Sequence, residues 1–555
     1  MTVAVESNFT NSHAFIDVPS RPMLEAPPWV EVQPTVEEPP ATRRRHRPSL
    51  AWRILCSRTL WFLAVGAVAL LARITALPTA YDIFIDEISY TSISMNLARG
   101  RGVELYGLPF ALHPPAAFGL YAAVILAFGL HGSTESTLFS LRYVDVIVGT
   151  LTCLVTFLLV ERVATRWVAV IVALLLAVDP LAISFDSRVM LEAPAQLAMV
   201  SLFFCLAMAD MTRSGSLGHW AWVIGAGLAA GTVVTTKETF GLVVVFALFL
   251  LWATGWVIAR REAFVVAIMA AVAYVGMVIA LSWSFGFAAW WHAKEDGILR
   301  LVGTKQISGF NSASTHVSIQ SRILADLGTF AVTYVVLVVG VAAAAGLLWR
   351  MEPWSSRQYP RDVRDRLTVL MAVWTVAAAA YLVYATLFGT IEEQMYYILL
   401  LPSLISLCLW VAGVESWRRG KWLVTGAVLL LVAMGFNLFV WTSVHAGRDD
   451  EYRQLLRWEG NKVPPSAVVS STDGASQFLM HRGVIGQWGT LAQMRAHHVD
   501  YVVIATTLVD QGYGIASKSF LTTVERGGHL VFEANGISDG SLRVYKVQGI
   551  TGAAR

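Results

Sequence analysis

The sequence is short of charge and short of cysteine. Of its 555 residues, 14% are charged and 56% are hydrophobic, with a mean hydropathy of +0.59. A soluble globular chain carries about 25% charged residues and has no interior large enough for so much apolar surface. The scarcity of charge therefore argues against a soluble enzyme, a nucleic-acid binder or a disordered scaffold, and leaves a protein dissolved in a bilayer. A net charge of +3 is too small to imply a polyanionic partner, so charge acts through its placement. The four cysteines, Cys56, Cys153, Cys205 and Cys408, lie inside or beside apolar runs. None sits in a long polar loop, which excludes a disulfide framework and a cysteine-based metal site. No internal repeat of the inverted, transporter kind is evident.

What is present is a series of long apolar runs. Residues 1–48, rich in proline and ending in the basic cluster Arg43, Arg44, Arg45 and Arg47, have no apolar periodicity and read as a disordered cytoplasmic tail. Windows of about 20 apolar residues fall near 60–78, 138–160, 167–183, 190–210, 219–235, 238–258, 263–284, 326–349, 367–389, 395–414 and 421–443. A further run at 114–130 opens with Pro114-Pro115. If that run does not cross, the Arg43–Arg47 cluster and every later basic linker fall on the cytoplasmic side: Arg162/Arg166, Arg213, Arg260/Arg261, Arg350 to Arg366, and Arg418/Arg419/Lys421. If it crossed, all the later linkers would face outward, against the positive-inside rule.

The expectation is thus a multi-pass protein of the cell membrane with eleven spans and a cytoplasmic N-terminus. Segment 114–130 is a re-entrant or interface-lying helix, and residues 49–444 form the membrane domain. Three long segments, 79–137, 285–325 and everything after about 445, lie outside. The last of these has strand-like Val468–Ser471, a helical Leu491–His498, then strand-like Tyr501–Ile504 and Leu542–Val547. It reads as a small extracytoplasmic α/β domain over 445–555.

Polar residues gather at the outer ends of these spans. Asp86 and Glu87 follow the first span; carboxylates at membrane depth are costly and point to function, as a base for an incoming hydroxyl, although the pair would also cap the helix that follows. His113-Pro114-Pro115 suits a helix start whose positive end faces a phosphate, or a histidine that merely satisfies a loop carbonyl. Arg188 and Glu192 share a face if their segment is helical, with Pro194 in the first turns, and they also suit a simple ion pair. Thr236-Lys237-Glu238 joins two spans with almost no loop and places Lys237 beside a lipid head group, or in a local pair with Glu238. The loop 285–325 carries Trp290, Trp291, His292, Lys294, Lys305, His316 and Arg322, which suit a gate over a sugar phosphate or an interfacial aromatic belt. Glu392-Glu393-Gln394-Met395-Tyr396-Tyr397 precedes the tenth span, where tyrosines are ordinary anchors. All of these fall on one side of a topology fixed by quite different residues, which favours one shared site.

Over roughly 60–402 the ordered set Asp86-Glu87, His113-Pro114-Pro115, Arg188…Glu192-x-Pro194, Thr236-Lys237-Glu238 and Tyr397 ahead of Pro402 resembles the polytopic GT-C glycosyltransferases. The resemblance is to the protein O-mannosyltransferases and the lipid A aminoarabinose transferases. The His-Pro-Pro form is more like the former, but the large sugar-binding domain inserted in eukaryotic mannosyltransferases is missing and a C-terminal domain is added. The resemblance implies an α-helical polytopic membrane fold of GT-C type and inverting transfer of a sugar from a polyprenyl-phosphate donor to an acceptor hydroxyl on a protein, lipid or polysaccharide at the outer face. By this resemblance Asp86 is the base and Glu87 orients donor or acceptor. His113, Arg188 and Lys237 hold the donor phosphate as cations, while Glu192, Glu238, Tyr397, Lys294, Lys305 and His316 position donor or acceptor. No cofactor is required. A divalent ion on Asp86, Glu87 and Glu192 is a less favoured arrangement. The competing readings are a lipid-linked glycan transporter or flippase, which should place its ionisable residues near mid-span, and a non-catalytic component of envelope-glycan assembly. The topology predicts that a cysteine placed in 351–365 reacts with an impermeant reagent only after the membrane is opened; labelling in sealed cells would overturn the eleven-span count.

Overall fold

The computed structural model describes residues 57–305, 318–354, 362–413, 421–510, 515–537 and 540–547. The predicted tail 1–48 and His316 lie outside the described residues. Helix α1 (Arg58–Ile74) starts where the Ser57 hydroxyl accepts the amide of Leu60 at 3.3 Å. Next come α2 (Ile85–Ala98), the two-residue strands β1 (Glu104–Leu105) and β2 (Leu108–Pro109), and α3 (Ala116–Phe128). Helix α3 stops at Gly129, whose φ of 61° is left-handed. Its 13 residues span about 20 Å at 1.5 Å each, shorter than a hydrocarbon core of about 30 Å.

The long helices follow: α4 (Thr134–Val163), α5 (Arg166–Ala177) with α6 (Pro180–Asp186), α7 (Glu192–Met211), α8 (Leu217–Thr236), α9 (Glu238–Thr254), α10 (Arg260–Phe285), α11 (Phe287–Leu301), α12 (Ile319–Met351), α13 (Val363–Leu387), α14 (Glu393–Gly413) and α15 (Lys421–Ala446). Helices α5 and α6 meet at 64°. The break is set by Asp179, whose carboxylate caps the amides of Leu181 and Ala182 at 3.0 and 3.1 Å, ahead of Pro180 in the first turn. Among the described residues, eight helices are long and apolar enough to cross a membrane, or nine if the bent pair is one span. Each of the eleven predicted runs falls on a helix or on the bent pair. Two of them, α1 and α9, have only 17 residues, about 25 Å. Helix α9 is short because Lys237, extended at φ −150°, separates it from α8.

Apolar side chains on α10 and α15 such as Val272, Ile279, Leu431 and Val432 are more than half exposed, as expected of faces solvated by lipid rather than water. Inside the bundle Trp374 stacks on Phe203 with ring centroids 4.2 Å apart, and Gly340 lets α12 approach α14 so closely that a Cβ there would lie 2.5 Å from the carbonyl oxygen of Ser403.

The C-terminal α/β region begins with α16 (Glu451–Lys462) and continues through β3 (Val468–Ser471), α17 (Gly474–Leu479), β4 (Val484–Gly486), α18 (Leu491–Ala496), β5 (Tyr501–Ala505), α19 (Thr506–Asp510), α20 (Lys518–Gly527), β6 (His529–Asn535) and β7 (Ser541–Lys546). Its sheet has the order β4-β3-β5-β7-β6, with β3 parallel to both neighbours and β7 antiparallel to both of its own. The region packs on the segment between α1 and α3 and on the first turn of α4. The Asp449 amide donates to the Thr79 carbonyl at 2.9 Å, Arg453 pairs with Glu135 at 3.3 Å, and Tyr106 stacks on Phe478 at 4.3 Å.

Candidate active site

The loop that carries Asp86 is held from below by one side chain of α4. The Arg142 guanidinium donates to the carbonyls of Leu77, Tyr81 and Asp82 at 3.3, 2.8 and 3.2 Å and to both oxygens of Glu87 at 2.9 and 2.7 Å. Both side chains of this ion pair are fully buried. Glu87 also accepts the amide of Phe84 at 3.1 Å, which caps α2, and that of Val189 at 2.8 Å. The helix-cap reading of the carboxylate pair therefore holds for Glu87, which is turned into the protein and does not line the cavity. One residue is about 100° of helix, so Asp86 points elsewhere.

Asp86 looks into a cavity of about 990 Å³. The cavity has a polar head and an apolar tail. Asp86, His113, Lys237, Glu238, Lys294, Arg300, Tyr381, Glu392 and Gln394 line the head, while the tail runs between α9 and α10 past Leu242, Val245, Phe249, Trp252, Phe264, Ala267 and Ala271. Two of the cations are already engaged. Lys237 bonds Glu192 and Gln394, and Gln394 in turn bonds Glu392. Lys294 pairs with Glu238 at 2.7 Å and reaches the Leu112 carbonyl at 3.2 Å; the Tyr274 hydroxyl also donates to Glu238 at 2.7 Å. Arg300 differs: its guanidinium forms no ion pair or hydrogen bond with a described residue, and its Nε is buried.

Burial pushes the carboxyl of Asp86 up to about 7; Lys237 opposes the shift and Glu392 and Glu192 add to it. Burial, reinforced by Lys237, Lys294 and Arg300, holds His113 well below the ordinary imidazole value. His113 is thus a neutral ring at neutral pH. It can offer a phosphate one N–H, but not the positive charge expected of it, because it is buried and three cations share its surroundings.

The remaining expected site residues divide. Lys237, Glu238 and Lys294 line the head with Asp86 and His113; Glu192 stands behind Lys237 as its fully buried partner. Arg188 and Glu192 do not share a helical face, since α6 ends at Asp186 and α7 starts at Glu192. Arg188 lies instead over the rings of Tyr81 and Phe84, at 5.1 and 6.0 Å, outside the cavity lining. Tyr397 belongs to a buried network: its hydroxyl donates to Asp186 at 2.6 Å, and Asp186 pairs with Arg73 at 2.8 Å. Lys305 pairs with Asp296 at 2.6 Å on the surface. Glu87, Glu192 and Asp86 do not converge, and among the described residues no group of three such side chains is placed to hold a metal ion.

Arg300 and Tyr381 stand in none of the polar motifs picked out at the ends of the apolar runs. The signal for Arg300 was available: Trp290, Lys294, Gly297, Ile298 and Leu301 recur at helical spacing and all line the cavity. Reading 285–325 as a gating loop concealed it; the segment 287–301 is helix α11. Glu392 and Gln394 were visible in their motif but masked by the adjacent tyrosine anchors.

The chain has a fold of the GT-C glycosyltransferase class, with polytopic helices around an amphiphilic cavity. Residues 128–294 match the family described as dolichyl-phosphate-mannose-protein mannosyltransferase. ArnT from Cupriavidus metallidurans, solved bound to undecaprenyl phosphate, is similar with a TM-score of 0.56 at 14% identity, covering 90% of this chain and 100% of that one. The Archaeoglobus fulgidus oligosaccharyltransferase in its apo form is similar with a TM-score of 0.56 at 13% identity, covering 88% and 74%. The archaeal oligosaccharyltransferase AglB from Archaeoglobus fulgidus, in complex with an inhibitory peptide and a dolichol-phosphate, gives 0.53 at 13% identity over 88% and 74%. At such identities the likeness concerns the fold. No curated protein matches the chain in sequence.

Arg142→Lys keeps the charge but replaces a five-donor fork with a single ammonium, leaving buried carbonyls without a donor and Glu87 held chiefly by the Phe84 and Val189 amides. Removing one partner of such a pair outright costs about 3–5 kcal/mol, and loss of the fork costs part of that. The variant should show a clearly lowered thermal midpoint in detergent; a midpoint equal to that of the wild type would remove the fork from its anchoring role.

Proposed function

We propose that the protein is a glycosyltransferase that moves a sugar from a polyprenyl-phosphate donor to an acceptor hydroxyl at the outer face of the membrane, with inversion at the anomeric carbon. The observation that carries this reading is the form of the cavity: a head of carboxylates and cations that opens directly into an apolar groove between α9 and α10. An amphiphile with an anionic head and a hydrocarbon tail is the ligand class such a shape accommodates. ArnT was solved with undecaprenyl phosphate and AglB with a dolichol-phosphate, which supports the same ligand class here.

In this reading the prenyl chain lies along Leu242, Val245, Phe249 and Trp252. The phosphate is held at the head. Lys237 and Lys294 are each neutralised by a carboxylate, so the cation with charge to give is Arg300, which lines the cavity unpaired among the described residues. His113 adds an N–H, and the two lysines contribute at longer range. The acceptor oxygen attacks the anomeric carbon while the bond from that carbon to the phosphate oxygen breaks. Asp86 takes the proton from the acceptor hydroxyl, and the polyprenyl phosphate leaves with one more negative charge. That charge needs cations rather than an acid.

A carboxyl with a value of about 7 is matched to this task, since a base titrating near the working pH combines availability with proton affinity. Its sign is fixed: Asp86 must be ionised, so kcat/KM should fall about tenfold per pH unit below roughly 7 and level off above it. Asp86→Asn should abolish transfer with insertion and donor binding intact, and Arg300→Gln should weaken donor use about tenfold or more through the loss of a charge-assisted bond. Both are read by transfer assays in membranes over a range of donor concentrations. Wild-type turnover by the Asp86 variant would sink the mechanism, and unchanged donor dependence would remove Arg300 from the phosphate.

A further inference from the structure

Four residues before Asp86, the same loop makes a second, quite different contact. Asp82 is buried, and its carboxyl accepts the amides of Ile83 at 2.8 Å and of Tyr452 at 3.1 Å; its own amide donates to Asp449 at 3.2 Å. Glu451, the first residue of α16, is also fully buried. Its carboxyl lies beside that of Asp82. Neither oxygen of Glu451 receives an N–H or O–H from any described residue. The carboxyl has a seat of its own, because a Cβ on Gly536 would lie 1.2 Å from Glu451 Oε1. Two groups that are only acceptors when ionised therefore face each other out of water, with no donor between them, and such a contact is repulsive unless one proton is shared.

We infer that a single proton held between Asp82 and Glu451 fastens the C-terminal α/β region to the loop that carries Asp86. The fastening is direct: Arg142 grips the carbonyl of Asp82 from the membrane side, and Glu451 and the Tyr452 amide grip its carboxyl from the C-terminal side. The charged and titratable groups around the pair are few. Asp449 and Asp450 lie on the same connection, and Asp473 accepts the Tyr452 hydroxyl at 3.0 Å. Arg142 is spent on Glu87, Arg453 on Glu135, Arg448 is exposed, and His445 packs on Tyr81. No cation reaches the two carboxyls to replace the proton among the described residues. Burial also raises Asp82 above the ordinary carboxyl value.

The direction of the pH effect follows. A folded chain that holds this proton more tightly than the unfolded chain keeps the fastening in acid and loses it as pH rises through the raised titration of the pair. The grip of the C-terminal region on the loop 77–87 thus depends on pH. This inference does not need the glycosyl-transfer reading, and its test does not use activity.

The experiment is hydrogen exchange on the full chain in nanodiscs from pH 5 to 9, corrected for intrinsic rates, following the Ile83 and Tyr452 amides that Asp82 accepts. Their protection should fall by up to about tenfold per pH unit once the proton is lost. Glu451→Gln supplies an amide donor in place of the proton, so its protection should stay high across the range; Gly536→Ala, which expels the Glu451 carboxyl, should lower protection at every pH. Protection independent of pH in the wild type would overturn the proposal, and so would an unchanged pH slope in Glu451→Gln. Loss of protection on adding a chelator at pH 5, or its recovery with calcium at pH 9, would also overturn it, because a cation rather than a proton would then join the pair.

Discussion

The structure depends on one buried guanidinium. Arg142 is the point at which helix α4, the loop 77–87 and the start of α2 become one rigid object, and every donor it owns is used there. Taking an arginine and a glutamate out of water costs several kcal/mol per ion. That cost is offset only when geometry is complete, as it is here, with Glu87 meeting two further amides. Such an arrangement has one good solution rather than many. It fixes the direction in which the neighbouring carboxylate points.

From that orientation the chemistry of the cavity follows. Asp86 is aimed at a space whose cations and carboxylates nearly cancel one another, so the head is polar without being strongly charged when empty. The pairing has a consequence. Lysines that already hold carboxylates supply field rather than a free binding charge, and a bound anion is left to Arg300, the guanidinium that lines the cavity uncommitted among the described residues. Burial, meanwhile, makes Asp86 a stronger base and His113 a weaker one. The same loss of solvent pushes the two groups toward neutrality by opposite routes.

Much of this was legible in the sequence, and the reason is the low charge content. In a chain with few ionisable residues, the basic linkers and the polar span ends stood apart, and Asp86, His113, Lys237, Glu238 and Lys294 line the cavity. The errors share a physical cause: sequence spacing gives a face only if the secondary structure is known. Arg188 and Glu192 were placed together by assuming a helix, but the chain breaks between them. Arg300 was missed by assuming a loop where the chain is helical. Glu87 and Tyr397 could not be told from site residues, because their partners, Arg142 and Asp186, are distant in sequence. In the C-terminal region the strands with strong apolar alternation, Val468–Ser471 and Tyr501–Ala505, were found. The three-residue Val484–Gly486 and the half-exposed edge His529–Asn535 were not, since an edge strand shows less of the pattern that burial on both faces imposes.

The central claim is that the cavity holds a polyprenyl phosphate with its head at Arg300 and its tail between α9 and α10. The most direct measurement is a structure of the full chain in lipid with polyprenyl phosphate added. The phosphate should lie within hydrogen-bonding distance of the Arg300 guanidinium and on the same side of the head as Lys294, with the chain running past Leu242 and Trp252 and Asp86 left open to an acceptor. A phosphate seated instead beside Arg188, or a tail lying outside the α9–α10 groove, would contradict it.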